Sequence, residues 1–381
     1  MKIEIESKKL IKPSAPAVDS LRKLKISLID QLQSPAYVDV TLFYSSKKDV
    51  RDPSFVPISK RSRLLEKALA ETLTLFYPLA GRYVEERCLV EWDDQRVEFL
   101  EAKADGTLDQ FLHGETDPDD VLGHLATQPH PVDQIAPPLV VVQMTTFTCG
   151  GMAVGLRISH KIADMHTVSS FLSTWAMACR GSVHEAIHLQ SILKLKAIAR
   201  SGGFDFEREP SRVELVTALV SIALLKIAKL KNGQSKPFLI SHMVNLRGRT
   251  DLVSHDNLCG NFYTVVSGKS TAEVTELGLH GLVGLVQDAM TTSLAKVANA
   301  IDGTDLAEMV MNLAGEYQEE RRKGDVDMLI FNSWCRFPVH QVDLGWGEPE
   351  FVSSLCAPFD SVMLMDHQKA EGGVEAWVSL T

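Results

Sequence analysis

Three observations on the sequence predict an α/β protein of two domains. Both halves of the chain carry segments of period two and segments of period 3.6. At 381 residues the chain exceeds what one hydrophobic core usually serves. Its 45 % hydrophobic and 23 % charged residues are the ordinary balance of a globular protein, with material for two sizeable cores.

Taken in order, Tyr37 to Tyr44 reads as a strand. Pro57 then opens a helix from about Ser59, in which Leu64, Leu65, Ala68, Leu69, Leu73 and Phe76 share one stripe, and Pro78 stops it. Val97 to Ala102 is extended. Leu139 to Phe147 and Met152 to Ile158 are apolar strands joined through Cys149-Gly150-Gly151, a hairpin signal. Directly after them Val168, Phe171, Leu172, Trp175, Ala176 and Cys179 fall on one buried helix face. Gly181, Ser182, Ser201, Gly202 and Gly203 mark a weakly patterned crossover at 183–205, between a first domain at 1–182 and a second at 206–381. The second domain opens with a helix from Arg212 to Lys229. Strands follow at Phe238 to Asn245 and Asn261 to Val266, then helices at about Glu273 to Ala300 and Asp305 to Arg321. Short strands at Met328 to Asn332, Glu350 to Leu355, Val362 to Met365 and Val374 to Val378 end the chain.

The formal net charge of −10 argues against a nucleic-acid partner. An anionic ligand would therefore need a local basic patch. Met1 to Lys9 carries charges where a signal peptide would be apolar. The greasiest run, Leu215 to Leu225, is closed by Glu214 and Lys226, short of the ~20 residues a membrane span needs. Cys88, Cys149, Cys179, Cys259, Cys335 and Cys356 form no CxxC pair and read as reduced thiols. A cytoplasmic protein with no membrane partner is expected.

The chemistry-bearing stretch is Ser159-His160-Lys161-Ile162-Ala163-Asp164, where a buried strand turns into a helix. Four readings are open. His160 is a satisfied core histidine and Asp164 a helix cap. Alternatively His160, Asp164 and His166 bind a metal, although no recognised ligand spacing occurs and no metal is expected. A Ser-His-Asp hydrolase would need a nucleophile, and no GxSxG elbow supplies one. In the fourth reading a neutral imidazole takes the proton of an acceptor hydroxyl during direct acyl transfer, a task that suits its unperturbed pKa of about 6.5.

Other motifs accompany it in order: Phe76-Tyr77-Pro78-Leu79-Ala80-Gly81-Arg82, Val244-Asn245-Leu246-Arg247-Gly248-Arg249 and Gly260-Asn261-Phe262. Ser333-Trp334-Cys335-Arg336, Asp343-Leu344-Gly345-Trp346-Gly347 and Gly373-Val374-Glu375-Ala376-Trp377 follow. Together with HxxxD they resemble the BAHD family of acyl-CoA-dependent acyltransferases, over about Ile11 to Trp377. HxxxD and DFGWG are that family's signatures, and the HKIAD form is most similar to its alkaloid acetyltransferases.

The resemblance implies a chloramphenicol acetyltransferase-like fold, with two similar-sized domains of mixed sheet plus helices meeting along a channel. It implies that His160 is the catalytic base, working with Asp164 in a ternary complex without an acyl-enzyme. No cofactor would be bound permanently. Acetyl-CoA or another acyl-CoA would be co-substrate, and the acceptor a hydroxyl of a plant secondary metabolite, an alkaloid or terpenoid alcohol, taken by a monomer. A non-catalytic relative that keeps the scaffold is the alternative. By the same resemblance Asp343, Gly345, Trp346 and Gly347 hold architecture, and a segment near 344–363 packs back on the first domain. Leu344 replaces the usual Phe, Met165 stands where many relatives have Gly, and family chains usually run longer than this one.

Arg247 and Arg249 alternate with Leu246 and Gly248 on a strand end, and the resemblance implies that an arginine of this motif, here Arg247, pairs with Asp164. Coenzyme A contacts are expected from Arg212, Arg249 and Asn261, the last as an oxyanion donor. Lys194, Lys196, Arg200, Arg212, Lys226, Lys229, Lys231 and Lys236 form the densest basic region.

Overall fold

The computed structural model describes residues 1–15, 22–46, 56–92, 96–113, 118–125, 137–181, 208–250, 252, 259–354, 360–368 and 372–380. The crossover expected at 183–205 lies outside them, as do Lys194, Lys196, Arg200 and Cys356.

Strands β1 (Ile3–Ile11), β2 (Lys23–Lys25), β3 (Tyr37–Tyr44), β4 (Arg82–Val84), β5 (Leu89–Glu91), β6 (Val97–Ala104), β7 (Val140–Thr146) and β8 (Met152–Ser159) occupy the first half. With them are helices α1 (Leu28–Gln31), α2 (Ile58–Leu75), α3 (Leu108–Leu112), α4 (Pro118–Leu125) and α5 (Met165–Arg180). The second half holds α6 (Arg212–Asn232), α7 (Val274–Ala298) and α8 (Gly303–Lys323). Its strands are β9 (Phe238–Asn245), β10 (Tyr263–Ser270), β11 (Asp327–Ser333), β12 (Phe351–Ser353), β13 (Ser361–Asp366) and β14 (Val374–Ser379). The chain divides into two compact units. The first is Met1–Ala186 with Leu258–Asn261 and Phe337–Leu355, and the second takes Ile187–Asn257, Phe262–Arg336 and Cys356–Thr381.

In the first unit a six-stranded mixed sheet runs in the order β1-β6-β7-β8-β3-β12, and β2-β5-β4 form a small antiparallel sheet. The near-continuous apolar runs of β7 and β8 are what central strands require, and both are buried except for Thr146 and Arg157. They pair antiparallel, from Val140↔Ile158 to Thr146↔Met152. Their turn needs Gly150, whose φ of 80° lies in the left-handed region. The helical stripes land where their spacing puts them. Leu65, Ala68, Leu69 and Leu73 of α2 are buried, as are Val168, Phe171, Leu172, Trp175, Ala176 and Cys179 of α5. Trp175 Nε1 donates to Leu65 O at 3.1 Å and fastens α5 to α2. Each fully buried Leu or Phe of this kind contributes about 1.5–3 kcal/mol.

The Asp343–Gly347 loop belongs to this unit. Asp343 Oδ1 accepts the backbone N–H of Gly345 at 2.9 Å and of Gly347 at 2.8 Å. The two glycines have φ of 101° and 110°, a conformation that a side chain would strain. Trp346 packs edge-on against Tyr44 at 5.7 Å, with the Arg61 guanidinium 5.2 Å from its ring centroid. Leu344 is fully buried, and β12 then pairs with β3.

The second unit is a five-stranded mixed sheet, β10-β9-β11-β13-β14. Alternation along β9 sorts its side chains: Phe238 and Ile240 meet Leu215, Ala218 and Leu225 of α6 and Leu282, Val283 and Val286 of α7. Leu239 faces Tyr317 of α8 with Val265 and Ile330. Both units are thus mixed sheets carrying helices, a mixed α/β fold. Among the described residues no helix is long and apolar enough to cross a membrane.

Candidate active site

His160 is the first residue beyond β8. Its backbone N–H donates to Ala36 O at 2.8 Å, just ahead of β3, so sheet pairing fixes the start of the turn. Ile162 N donates to Ser159 O at 3.3 Å and closes it. Asp164 then acts as N-cap of α5, accepting Thr167 N–H at 3.0 Å. Lys161 is buried beside His160 and donates from Nζ to Gln31 O at 3.0 Å and Gln33 O at 2.7 Å, at the C-terminal end of α1.

The imidazole is partly exposed, and its Nδ1 lies 3.0 Å from Asn261 Oδ1. Which atom carries the proton follows from the other end of the amide. Asn261 Nδ2 faces two acceptors, His160 O at 2.6 Å and Asp30 Oδ1 at 2.9 Å. Only an NH₂ group satisfies both, so the oxygen is the atom turned to the ring. A carbonyl oxygen accepts and cannot donate, so Nδ1 carries the hydrogen and Nε2 is the basic nitrogen of the neutral ring.

A second path reaches the same loop. The Thr167 hydroxyl lies 3.0 Å from Asp164 Oδ1. It also accepts Gly260 N–H at 3.1 Å and lies 3.2 Å from Gly260 O. Gly260 has a φ of 123°, which glycine alone adopts without strain. Asp164 therefore caps its helix and, through Thr167, holds the residue before Asn261.

The structure adds the following surroundings to the expected site residues. Asn261 is buried with its NH₂ engaged by Asp30 and His160 O, so it orients the ring instead of offering a free oxyanion donor. Arg247 and Arg249 do not alternate on a strand. β9 ends at Asn245, and a turn with Gly248 at φ 70° and Arg249 N–H bonded to Leu246 O parts them. Arg247 is buried, donating to Asn245 Oδ1 and lying 5.8 Å from the Phe262 ring, whereas Arg249 is exposed. Arg212 pairs with Asp366, which occupies the charge expected to meet coenzyme A. Although the residue as a whole is exposed, desolvation at its guanidinium and the charges of Arg208 and Arg336 lower the Arg249 pKa, against the opposing charge of Glu214. The ring of His166 lies 6.2 Å from that of Phe337, and no group of three metal-ligating side chains occurs among the described residues. Asp30 went unremarked in the sequence, although Ser27-Leu28-Ile29-Asp30 has the spacing of a capping box.

The Transferase family model matches residues 1–191 and 182–381. Acetyl-CoA-benzylalcohol acetyltransferase of Clarkia breweri is 34 % identical over 418 aligned positions, covering 98 % of this chain and 94 % of the relative. Vinorine synthase of Rauvolfia serpentina is 28 % identical over 99 % of this chain and 94 % of its own. The crystal structure of vinorine synthase superposes with a TM-score of 0.78 at 25 % identity, over 99 % of this chain and 94 % of that one. TRI101 of F. sporotrichioides, complexed with coenzyme A and T-2, shares the fold with a TM-score of 0.69 at 17 % identity, over 94 % of each chain. The chain belongs to the Transferase family, that of the BAHD acyl-CoA-dependent acyltransferases, and has their chloramphenicol acetyltransferase-like fold. It is an acyltransferase.

Proposed function

We propose that this enzyme transfers an acetyl group from acetyl-CoA to the hydroxyl of a plant secondary metabolite, with His160 as general base. The observation that carries this reading is the Asn261 Oδ1 contact at His160 Nδ1, which leaves Nε2 as the basic nitrogen. In the reaction Nε2 takes the acceptor's hydroxyl proton as the oxygen attacks the thioester carbonyl. The C–S bond then breaks, and the imidazolium returns the proton to the leaving thiolate. Both reactants meet at one base, so attack is effectively unimolecular, and the base adds about 10²–10⁴-fold. His160 and Asp164 are both present, which favours the enzyme over a silent binding relative that would be free to lose either.

Arg249, exposed on the turn after β9, is the cation we assign to the coenzyme A phosphates. The benzyl alcohol relative supports acetyl-CoA as donor and an alcohol as acceptor. The HKIAD motif supports a bulkier alkaloid or terpenoid alcohol. The test is thiol release from acetyl-CoA with benzyl, alkaloid and terpenoid alcohols, with ester product identified by mass spectrometry. Benzoyl-CoA and malonyl-CoA serve as competing donors. Ester formation that His160→Ala abolishes supports the reading. A preference for an aromatic or dicarboxylic donor would overturn the acetyl assignment.

A further inference from the structure

We propose that Asp30 is a positioning residue of the reaction, setting the tautomer of His160 through Asn261. The proposal rests on the general-base reading above. Asp30 is buried, at the third position of the four-residue helix α1, and its two carboxylate oxygens have separate tasks. Oδ2 closes the capping box, accepting Ser27 N–H at 3.1 Å and Ser27 Oγ–H at 2.7 Å. Oδ1 faces away from the helix and accepts from Asn261 twice, from the backbone N–H at 2.7 Å and from Nδ2 at 2.9 Å.

Those two bonds grip Asn261 at backbone and side chain together. An amide held only by His160 could present either end to Nδ1, because oxygen and NH₂ have nearly the same shape. The carboxylate removes that choice, since it accepts hydrogen bonds and offers none. With NH₂ committed to Asp30, Oδ1 must meet the imidazole, and the ring must carry its proton on Nδ1. The chain of influence runs from carboxylate to amide to ring, and Asp30 does not touch the imidazole. Bonds to an ionised acceptor are about twice as strong as neutral ones, which suits Asp30 to fixing an amide.

The surroundings are built to keep Asp30 there. Four residues cannot hold a helix by themselves. Here α1 is closed at its N-terminus by Asp30 and tied at its C-terminus by Lys161, the residue next to His160. The left-handed backbone at Gly260 brings the Asn261 N–H onto Oδ1.

The test compares Asp30→Ala with Ser27→Ala. Ser27→Ala takes the hydroxyl from the capping box and leaves both Asn261 bonds in place. Asp30→Ala is expected to lower kcat by about 10–10²-fold, part of the ~10²–10⁴-fold that a correctly protonated base supplies. KM for acyl-CoA should stay within about 3-fold, because no substrate contact is lost. Ser27→Ala should lose thermal stability but keep kcat within about 3-fold. The direct readout is the ¹⁵N spectrum of histidine-labelled protein, with the His160 signals identified by their loss in His160→Ala. The wild-type ring should be protonated on Nδ1, and in Asp30→Ala the proton should shift toward Nε2. An Nε2–H ring in the wild type would overturn the proposal even if Asp30→Ala failed to fold. So would equal kcat losses in the two variants, or an Asp30→Ala enzyme with unchanged turnover. Failure of the general-base reading has a different signature, namely turnover that survives His160→Ala.

Discussion

Two capping boxes closed by an acid, one from each unit, show how little a local motif says about what its acid does. Ser27-Leu28-Ile29-Asp30 opens α1, and Ser211-Arg212-Val213-Glu214 opens α6. In both, the serine side chain accepts the acid's backbone N–H and the acid reaches back to the serine N–H, at 3.1 Å for Asp30 and 2.7 Å for Glu214. Both acids are buried. They differ in what else the carboxylate meets. Glu214 meets Arg208 and Gln287, which stiffen the start of a 21-residue helix. Asp30 meets Asn261 and, through it, the imidazole. Capping chemistry is the same in both, and the partner beyond the cap decides whether the acid serves stability or reaction.

The widest test of this contrast begins with the base. His160→Ala should lower turnover by at least about 10³-fold while the protein still folds, because the side chain is partly exposed and its loss leaves the sheet intact. Near-normal turnover would remove His160 from the mechanism and the contrast with it. Next in size is the comparison of the two acids. Asp30→Ala should lose turnover as argued above. Glu214→Ala should keep kcat within about 3-fold and lose about 1–3 kcal/mol of stability, the cost of buried donors left unsatisfied. Denaturant melts beside steady-state rates separate these outcomes. A Glu214→Ala enzyme as slow as Asp30→Ala would mean that both boxes act only through folding.

Asp164 falls between the two acids. It lies close to His160 in sequence, caps α5, and accepts the Thr167 hydroxyl that in turn holds Gly260, the residue before Asn261. Asp164→Ala should therefore cost about 0.5–2 kcal/mol as a lost cap and slow turnover less than Asp30→Ala does. A variant that melts like the wild type while turnover collapses to the His160→Ala level would show that the carboxylate acts on the ring directly.

How much of this was legible in the sequence depended on length and on partners. The β7–β8 hairpin, the α5 stripe and the bounds of β9 were readable, because seven or more residues of one apolar run or steady period outweigh local noise. β1 escaped notice because its burial alternates weakly among charged residues at a sheet edge. The three-residue strands β2, β4 and β5 and the four-residue α1 are too short for a period to repeat. The turn at Arg247–Arg249 reads as a strand end in the sequence because a single Gly248 is a weak turn signal, and only its φ of 70° in the structure parts the two arginines. His160 and Asp164 stood out through their motif. Asp30 did not, although its capping box was written in the sequence, because its bond to Asn261 depends on a contact distant in the chain.

The smallest effect is a pH dependence that belongs to the Glu214 box. Burial pushes this carboxyl up, and the hydrogen bonds from Arg208, Ser211 and Gln287 together outweigh it. Its pKa therefore lies below the usual glutamate value of 4.5. A carboxyl whose pKa is lower in the folded than in the unfolded chain binds fewer protons when folded. The ionised form thus contributes stability that is fully present above 4.5 and disappears as the pH falls through the folded value. Arg208 is half exposed, so solvent screens the pair and the contribution is modest. Glu214→Gln keeps the size of the side chain and cannot titrate. Its melting temperature should fall below the wild type's at neutral pH, and the two curves should converge as the pH is taken from 4.5 down through the folded value. Parallel curves over that range would show that the ionisation of Glu214 does not favour the fold, and that its box holds α6 by shape and neutral hydrogen bonds alone.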